Sequence, residues 1–188
     1  HVLEEMAGYN EQAWNGRGFL LILSSIAWRE AWKYGLRAFR YCNHDIGHAL
    51  AALSFSASLQ GWNMTVCEGV SSTQLNRFMG FDKLPWISNE EEQAELIAWV
   101  GEKNSEPEWL KMFIQQKAEC PHIPNRLSNE HVVWQDIIEV QHNSMHPGVK
   151  SKKQSFIETR PSASYTAKSA VELIRQRRSA QTFDKSKS

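Results

Sequence analysis

Apolar positions along this chain fall into short runs and helical stripes separated by glycine, proline and serine. Phe19 to Ser24 is a continuous apolar run bounded by Gly16 and Gly18 on one side and Ser24-Ser25 on the other, which predicts a buried strand. From about Trp28 the spacing turns helical, and Asn43 to Gln60 is the clearest helix. Ile46, Leu50, Leu53 and Ala57 share one stripe, while Ala51, Phe55 and Leu59 line another. Apolar character on two faces predicts burial between layers. Ala49, Ala51, Ala52, Ser54, Ser56, Ala57 and Ser58 keep the helix slender, so a neighbouring backbone can approach closely. Gly61 stands where a C-terminal cap belongs.

Asn63 to Val70 reads as a short strand ending at Glu68-Gly69. Ser72 to Met79 reads as a helix opened by cap candidates Ser71, Ser72 and Thr73 and closed by Gly80. Glu92 to Val100 suits either a helix or a strand, and its second half has strand composition. Prolines at 107, 121, 124, 147 and 161 then mark 102–165 as a connecting segment. It holds short helices at Pro107 to Lys117 and Val132 to Val140. Thr166 to Arg178 predicts an amphipathic helix through Ala167, Ala170, Val171 and Ile174.

Composition narrows the function classes. Lysine plus arginine equals aspartate plus glutamate at 21 each, so the chain lacks the charge excess of a nucleic-acid binder. The cationic stretch from Lys150 to Ser188 reads as a solvated linker. Three widely spaced cysteines (Cys42, Cys67, Cys120) make no disulfide framework and fit a reducing, cytoplasmic compartment. The most apolar run, Gly18 to Ser24, is too short to span a membrane. The chain opens at His1 without a charged-then-apolar leader, as a piece of a longer protein would.

Two histidines four apart, His44 and His48, would stand one turn apart on a helix, the geometry of HExxH zinc sites. Asp45 takes the place of the catalytic glutamate there, and Glu68 is a candidate third ligand. Aspartate is one methylene shorter and reaches a metal-bound water poorly. The same face carries Ala51 and Phe55, as a packing surface does, and seven histidines make such a pair easy to meet by chance. Hydrogen-bonded or buried histidines are the plainer reading, so no metal site is expected.

The order of a strand, then Lys33-Tyr34-Gly35-x-Arg37-Ala38-Phe39-Arg40-Tyr41, then Gly47-His48, an alanine-rich helix and Gly61-Trp62 resembles the second half of a nitroreductase-superfamily domain. The resemblance is to the SagB-type dehydrogenase branch and covers about 19–101. Arg177-Arg178-Ser179-Ala180-Gln181-Thr182-Phe183 is similar to the RRSxRxF signature that opens such a domain. With the opening signature behind the closing half, the resemblance implies part of a tandem protein or, as the weaker reading, a circular permutation. Residues 1–101 would be the C-terminal half of one domain, 102–165 a linker and 166–188 the start of a second. The implied fold is α+β, a nitroreductase-like three-layer arrangement with a mixed sheet flanked by helices, incomplete in this chain.

The resemblance also implies FMN held at a dimer-type interface. Arg177, Arg178 and Ser179 would contact the phosphate and ribityl chain, where guanidinium forks and a hydroxyl suit phosphate oxygens. Gln181 departs from the usual cation of the signature. Glu68-Gly69 would be the turn that offers backbone N–H to the flavin N5 edge. Lys33 and Tyr34 would be catalytic, the lysine desolvated to titrate near neutrality and the tyrosine relaying or orienting the proton. Plainer roles stand beside these: solvated tail cations, an ordinary strand-end turn, and a snorkelling lysine with a packed tyrosine. Arg37 and Arg40 are expected to pair with Glu30, Asp45 or backbone carbonyls.

The expected function is an FMN-dependent oxidoreductase passing hydride between flavin and a small or peptide-borne substrate, with NAD(P)H as a candidate donor. Its expected partner is a second nitroreductase-like domain or a homodimer mate. The alternatives are a flavin-free scaffold half of a tandem pair and, more remotely, a zinc hydrolase.

Overall fold

The computed structural model describes residues 18–87, 90–116, 123–124, 126, 128–130, 132–150, 167–179 and 182. The expectations for Gly16, Cys120 and Gln181 lie outside these residues. The chain divides into two units, His1–Ser151 and Lys152–Ser188.

In the first unit the order is β1 (Gly18–Ser25), α1 (Ala27–Tyr34), a 3-10 turn (Gly35–Arg37), α2 (Ala38–Leu59), β2 (Asn63–Val66), α3 (Ser72–Phe78), β3 (Gln93–Gly101), α4 (Leu110–Phe113) and α5 (Gln135–Asn143). Its sheet has the order β1-β3-β2, and both outer strands run antiparallel to β3. An α+β architecture is therefore present, but among the described residues the sheet is antiparallel rather than mixed. The cause is topological. The chain passes from β1 through α1 and α2 to a parallel β2, and β3 later enters between them, reversed against both.

Pairing explains why β3 resists periodicity. Leu20 faces Trp99 and Ile22 faces Ile97 across the ladder, on the side of the main core. Alternation turns Ala98 and Val100 to the opposite side, where they are also buried while α2 packs on β2 and β3. A central strand covered on both faces reads as a continuous apolar run. The ladder shifts between Leu23 and Ser24, so that Leu23 pairs with Leu96 and Ser24 with Ala94. Glu95 is the extra, bulged residue, and its carboxylate accepts from the Ser25 hydroxyl.

The main core joins Leu75 and Phe78 of α3 to Ile97 and Trp99 of β3 and to Leu110, Phe113 and Ile114. A second cluster of Ala27, Ala31, Ala38, Cys42 and Ile137 locks α1, α2 and α5 together. Segments 107–116 and 132–145 thus pack as part of the first unit.

Local chemistry sets the ends. Gly61 at φ +73° closes α2, with its N–H on the Ser58 carbonyl (3.0 Å) and the Trp62 N–H on that of Ala57 (2.9 Å). Ser71 and Gln74 make a reciprocal capping box on α3. The Asn76 carboxamide takes the Ala94 N–H at 2.8 Å and donates to Gln93 at 2.9 Å, fixing α3 to the start of β3.

One expectation for α2 is overturned. Its inner stripe is covered, but Phe55 is 70% and Leu59 52% exposed, and Ala51 and His48 are exposed beside them. Among the described residues the helix lies against one layer, not between two.

In the second unit α6 (Ala170–Gln176) is opened by a capping box between Ser169 and Glu172, and Val171, Leu173 and Ile174 are exposed. The amide and hydroxyl of Ser169 hold the Glu172 carboxyl below its usual range.

Candidate functional site

Because β1 and β2 are parallel, Ser25 and the Glu68-Gly69 turn leave the sheet at the same end. Backbone bonds shape that turn. The Cys67 N–H reaches the Ile97 carbonyl (2.9 Å), the Glu68 N–H that of Val66 (3.2 Å) and the Val70 N–H that of Cys67 (3.3 Å). The Gly69 N–H has no hydrogen-bond partner among the described residues. A cavity of about 270 Å³ opens beside the turn, lined among others by Cys67, Glu68, Leu75, Glu95 and His146. Burial pushes the Cys67 thiol up to about 11, with Glu106 adding to the rise, so the cavity wall holds a neutral, unreactive thiol.

What lies over Gly69 comes from far along the chain. A Cβ at this position would stand 3.8 Å from Lys150 Cε and 3.9 Å from Glu106 Oε2, and Lys150 and Glu106 form an ion pair. Nothing local in the sequence signals this contact, since the partners are separated by 44 positions. His146 and Glu95 reach the cavity beside the turn from other segments of the chain.

Lys33 and Tyr34 sit at the end of α1 and do not line that cavity. Lys33 is exposed, with its ammonium 5.0 Å from the Tyr34 ring centroid. Its hydrogen bond to Tyr34, and then the Tyr34 and Glu30 charges, hold its pKa above the ordinary range. This is opposite to the expected depression, because among the described residues no apolar layer covers the ammonium. Tyr34 is half-buried edge-on against Tyr41, ring centroids 4.6 Å apart. Gly35 turns the chain at φ +57°, and a Cβ there would stand 3.2 Å from the Trp134 ring. Arg37 lies over the Tyr41 ring at 5.9 Å.

His44 and His48 share the exposed face of α2, and among the described residues no group of three His, Cys, Asp or Glu side chains is placed to hold a metal.

Arg177, Arg178 and Ser179 follow the C-terminus of α6 in the second unit and are exposed. Arg178 donates from one guanidinium nitrogen to the carbonyls of Arg175 and Arg177, both at 2.8 Å. A helix C-terminus presents carbonyl oxygens and the negative end of the dipole, which suit a cation and repel an anion. Arg177 and Arg178 are therefore engaged at the end of a helix among the described residues. Toward a flavin edge the Gly69 turn offers an N–H without a partner among the described residues and no side chain of its own, whereas Arg178 is engaged on carbonyls.

Among the described residues no helix is long and apolar enough to cross a membrane, and Cys42 and Cys67 are free thiols. No protein-family model, curated protein or solved structure matches this chain.

Proposed function

We propose that this chain is part of an FMN-dependent oxidoreductase of the nitroreductase, SagB-type dehydrogenase kind, acting on a small or peptide-borne substrate with NAD(P)H as candidate electron donor. The observation that carries the reading is the Gly69 N–H, without a partner at a turn where the resemblance asks for a backbone donor to the flavin edge. FMN, when bound, supplies the hydride chemistry. The chain's own part is to offer that N–H and to keep the turn rigid through the Cys67 and Val70 backbone bonds. Lys33 contributes a fixed positive charge beside Tyr34. The exposed outer face of α2, with Phe55, Leu59 and Ala51, is the surface for the second nitroreductase-like domain or homodimer mate, whose apolar contact would cover it.

A second reading is favoured by two observations. The Lys150–Glu106 pair lies over Gly69, and Arg178 is engaged on carbonyls. In that reading the chain is a flavin-free scaffold half of a tandem pair.

The test is the visible spectrum of the protein as purified and after incubation with FMN, paired with Gly69→Ala. Alanine at this position meets only ordinary van der Waals distances, so the fold tolerates it while a ring approaching the main chain does not. Bound flavin, with FMN affinity about tenfold weaker in Gly69→Ala, is the expected result. A colourless protein that takes up no FMN selects the scaffold.

A further inference from the structure

We infer that residues 146–150 form a latch over the 68–72 turn, opening as a unit and uncovering the Cβ side of Gly69 where the Lys150–Glu106 pair lies. After α5 the chain returns to this turn and fastens to it at three points. The Ser72 N–H donates to the His146 carbonyl at 3.0 Å, and the His146 N–H donates to the Ser72 hydroxyl at 2.8 Å. His146 Nδ1 accepts the Gly148 N–H at 3.0 Å, which bends the strap inward. Gly148, at φ +78°, then seats so closely that a Cβ would stand 2.9 Å from Ser71 N and 3.1 Å from Ser71 Cβ. Only glycine meets both the backbone angle and the approach. Lys150 completes the closure by pairing with Glu106 above Gly69.

Apart from the Gly148 seat on Ser71 the fastenings are polar, and the strap buries little that is apolar. Val149 is 66% exposed, the Lys150 side chain 64%, and His146 and Pro147 are exposed as well. The hydrophobic core therefore does not hold the strap shut. A surface ion pair contributes little and weakens with salt. Segments held by a few exposed hydrogen bonds open locally, at far lower cost than global unfolding. A ring laid on Gly69 from its Cβ side would meet the Lys150–Glu106 pair. The consequence for ligand access rests on the flavin reading above; the latch itself does not.

Amide hydrogen exchange on the full chain, followed residue by residue by NMR without ligand, tests it. The Ser72 and Gly148 amides should exchange together, slower than unprotected amides but faster than those of Ile97 to Val100 in β3. Gly148→Ala should speed Ser72 exchange about tenfold, as loss of one net hydrogen bond does, with β3 rates unchanged. Glu106→Gln, a surface change that spares the glycine seat, should speed Gly148 exchange in the same direction. Ser72 exchanging at the unprotected rate would show an unfastened strap. Exchange at the β3 rate, or unchanged Ser72 exchange in Gly148→Ala, would show that no separate opening exists. Each of these results overturns the latch. Failure to take up FMN, with the expected exchange rates intact, overturns the flavin reading alone.

Discussion

Replacing Leu110 by alanine asks whether the segment after β3 belongs to the core or is tethered across it. Leu110 is 2% exposed and sits in one cluster with Ile97, Trp99, Phe113 and Ile114. Truncation removes three buried carbons, about 2.4 kcal/mol at about 0.8 kcal/mol per methylene. The surrounding rings stand edge to face, Trp99 on Trp109 at 5.7 Å and Trp109 on Phe113 at 5.6 Å, so collapse into the hole would break that geometry. The residual cavity adds to the transfer cost, for a total of about 2.7–5 kcal/mol. That corresponds to a fall in Tm of roughly 5–15 °C for a domain of this size. Urea unfolding followed by tryptophan fluorescence measures it as a drop in midpoint at constant slope. Met112 is 72% exposed and serves as the control, Met112→Ala changing stability by less than about 0.5 kcal/mol. A Leu110→Ala cost no larger than the control's would refute the packing of α4 and make 107–116 a tether.

Two further perturbations read other parts of the first unit. With the Cys67 pKa raised from 9.0 to about 11, the buried neutral thiol stabilises the fold fully below pH 9.0 and loses that contribution as pH climbs through about 11. The contribution is of order 2–3 kcal/mol; thermal melts of wild type and Cys67→Ala across that window should converge as pH rises, and parallel curves would contradict the burial assigned to the thiol. Gly35→Ala places a Cβ 3.2 Å from Trp134 at φ +57° and should cost about 1–3 kcal/mol in urea unfolding. A gain in stability would mean that only the unfolded-state entropy term operates there and that Gly35 does not seat on Trp134.

Legibility followed the range of the forces involved. Elements decided by neighbours in sequence were readable: the apolar run of β1, the stripe of α2, the serine that caps α3, and Gly61 as the residue that stops α2. The strand after Trp62, expected to run to Val70, ends at Val66, and Cys67 keeps one more ladder-like bond to Ile97 before the Glu68 turn begins. For β3, burial on both faces erases the alternation that separates strand from helix. The prolines that mark 102–165 as a connection are local signals. That segment's attachment is made by a few side chains, Leu110, Phe113, Ile114 and Ile137, whose partners are distant in sequence.

The candidate site divides along the same line. Glu68-Gly69 could be picked out as a turn at a strand end, yet what controls it, the strap from His146 to Lys150 and the carboxylate of Glu106, arrives from 38 to 82 positions away, counted between Glu68 and Glu106 and between Glu68 and Lys150. Lys33 shows the converse limit. The resemblance implies a reactive amine there, but reactivity needs desolvation, and a side chain's cover is a tertiary property. The outer face of α2 links these observations. A helix with apolar stripes on two sides suits two covering layers, and the described residues supply one. A further layer laid on the outer face would make Phe55, Leu59 and Ala51 interior and lower the exposure of the nearby His48.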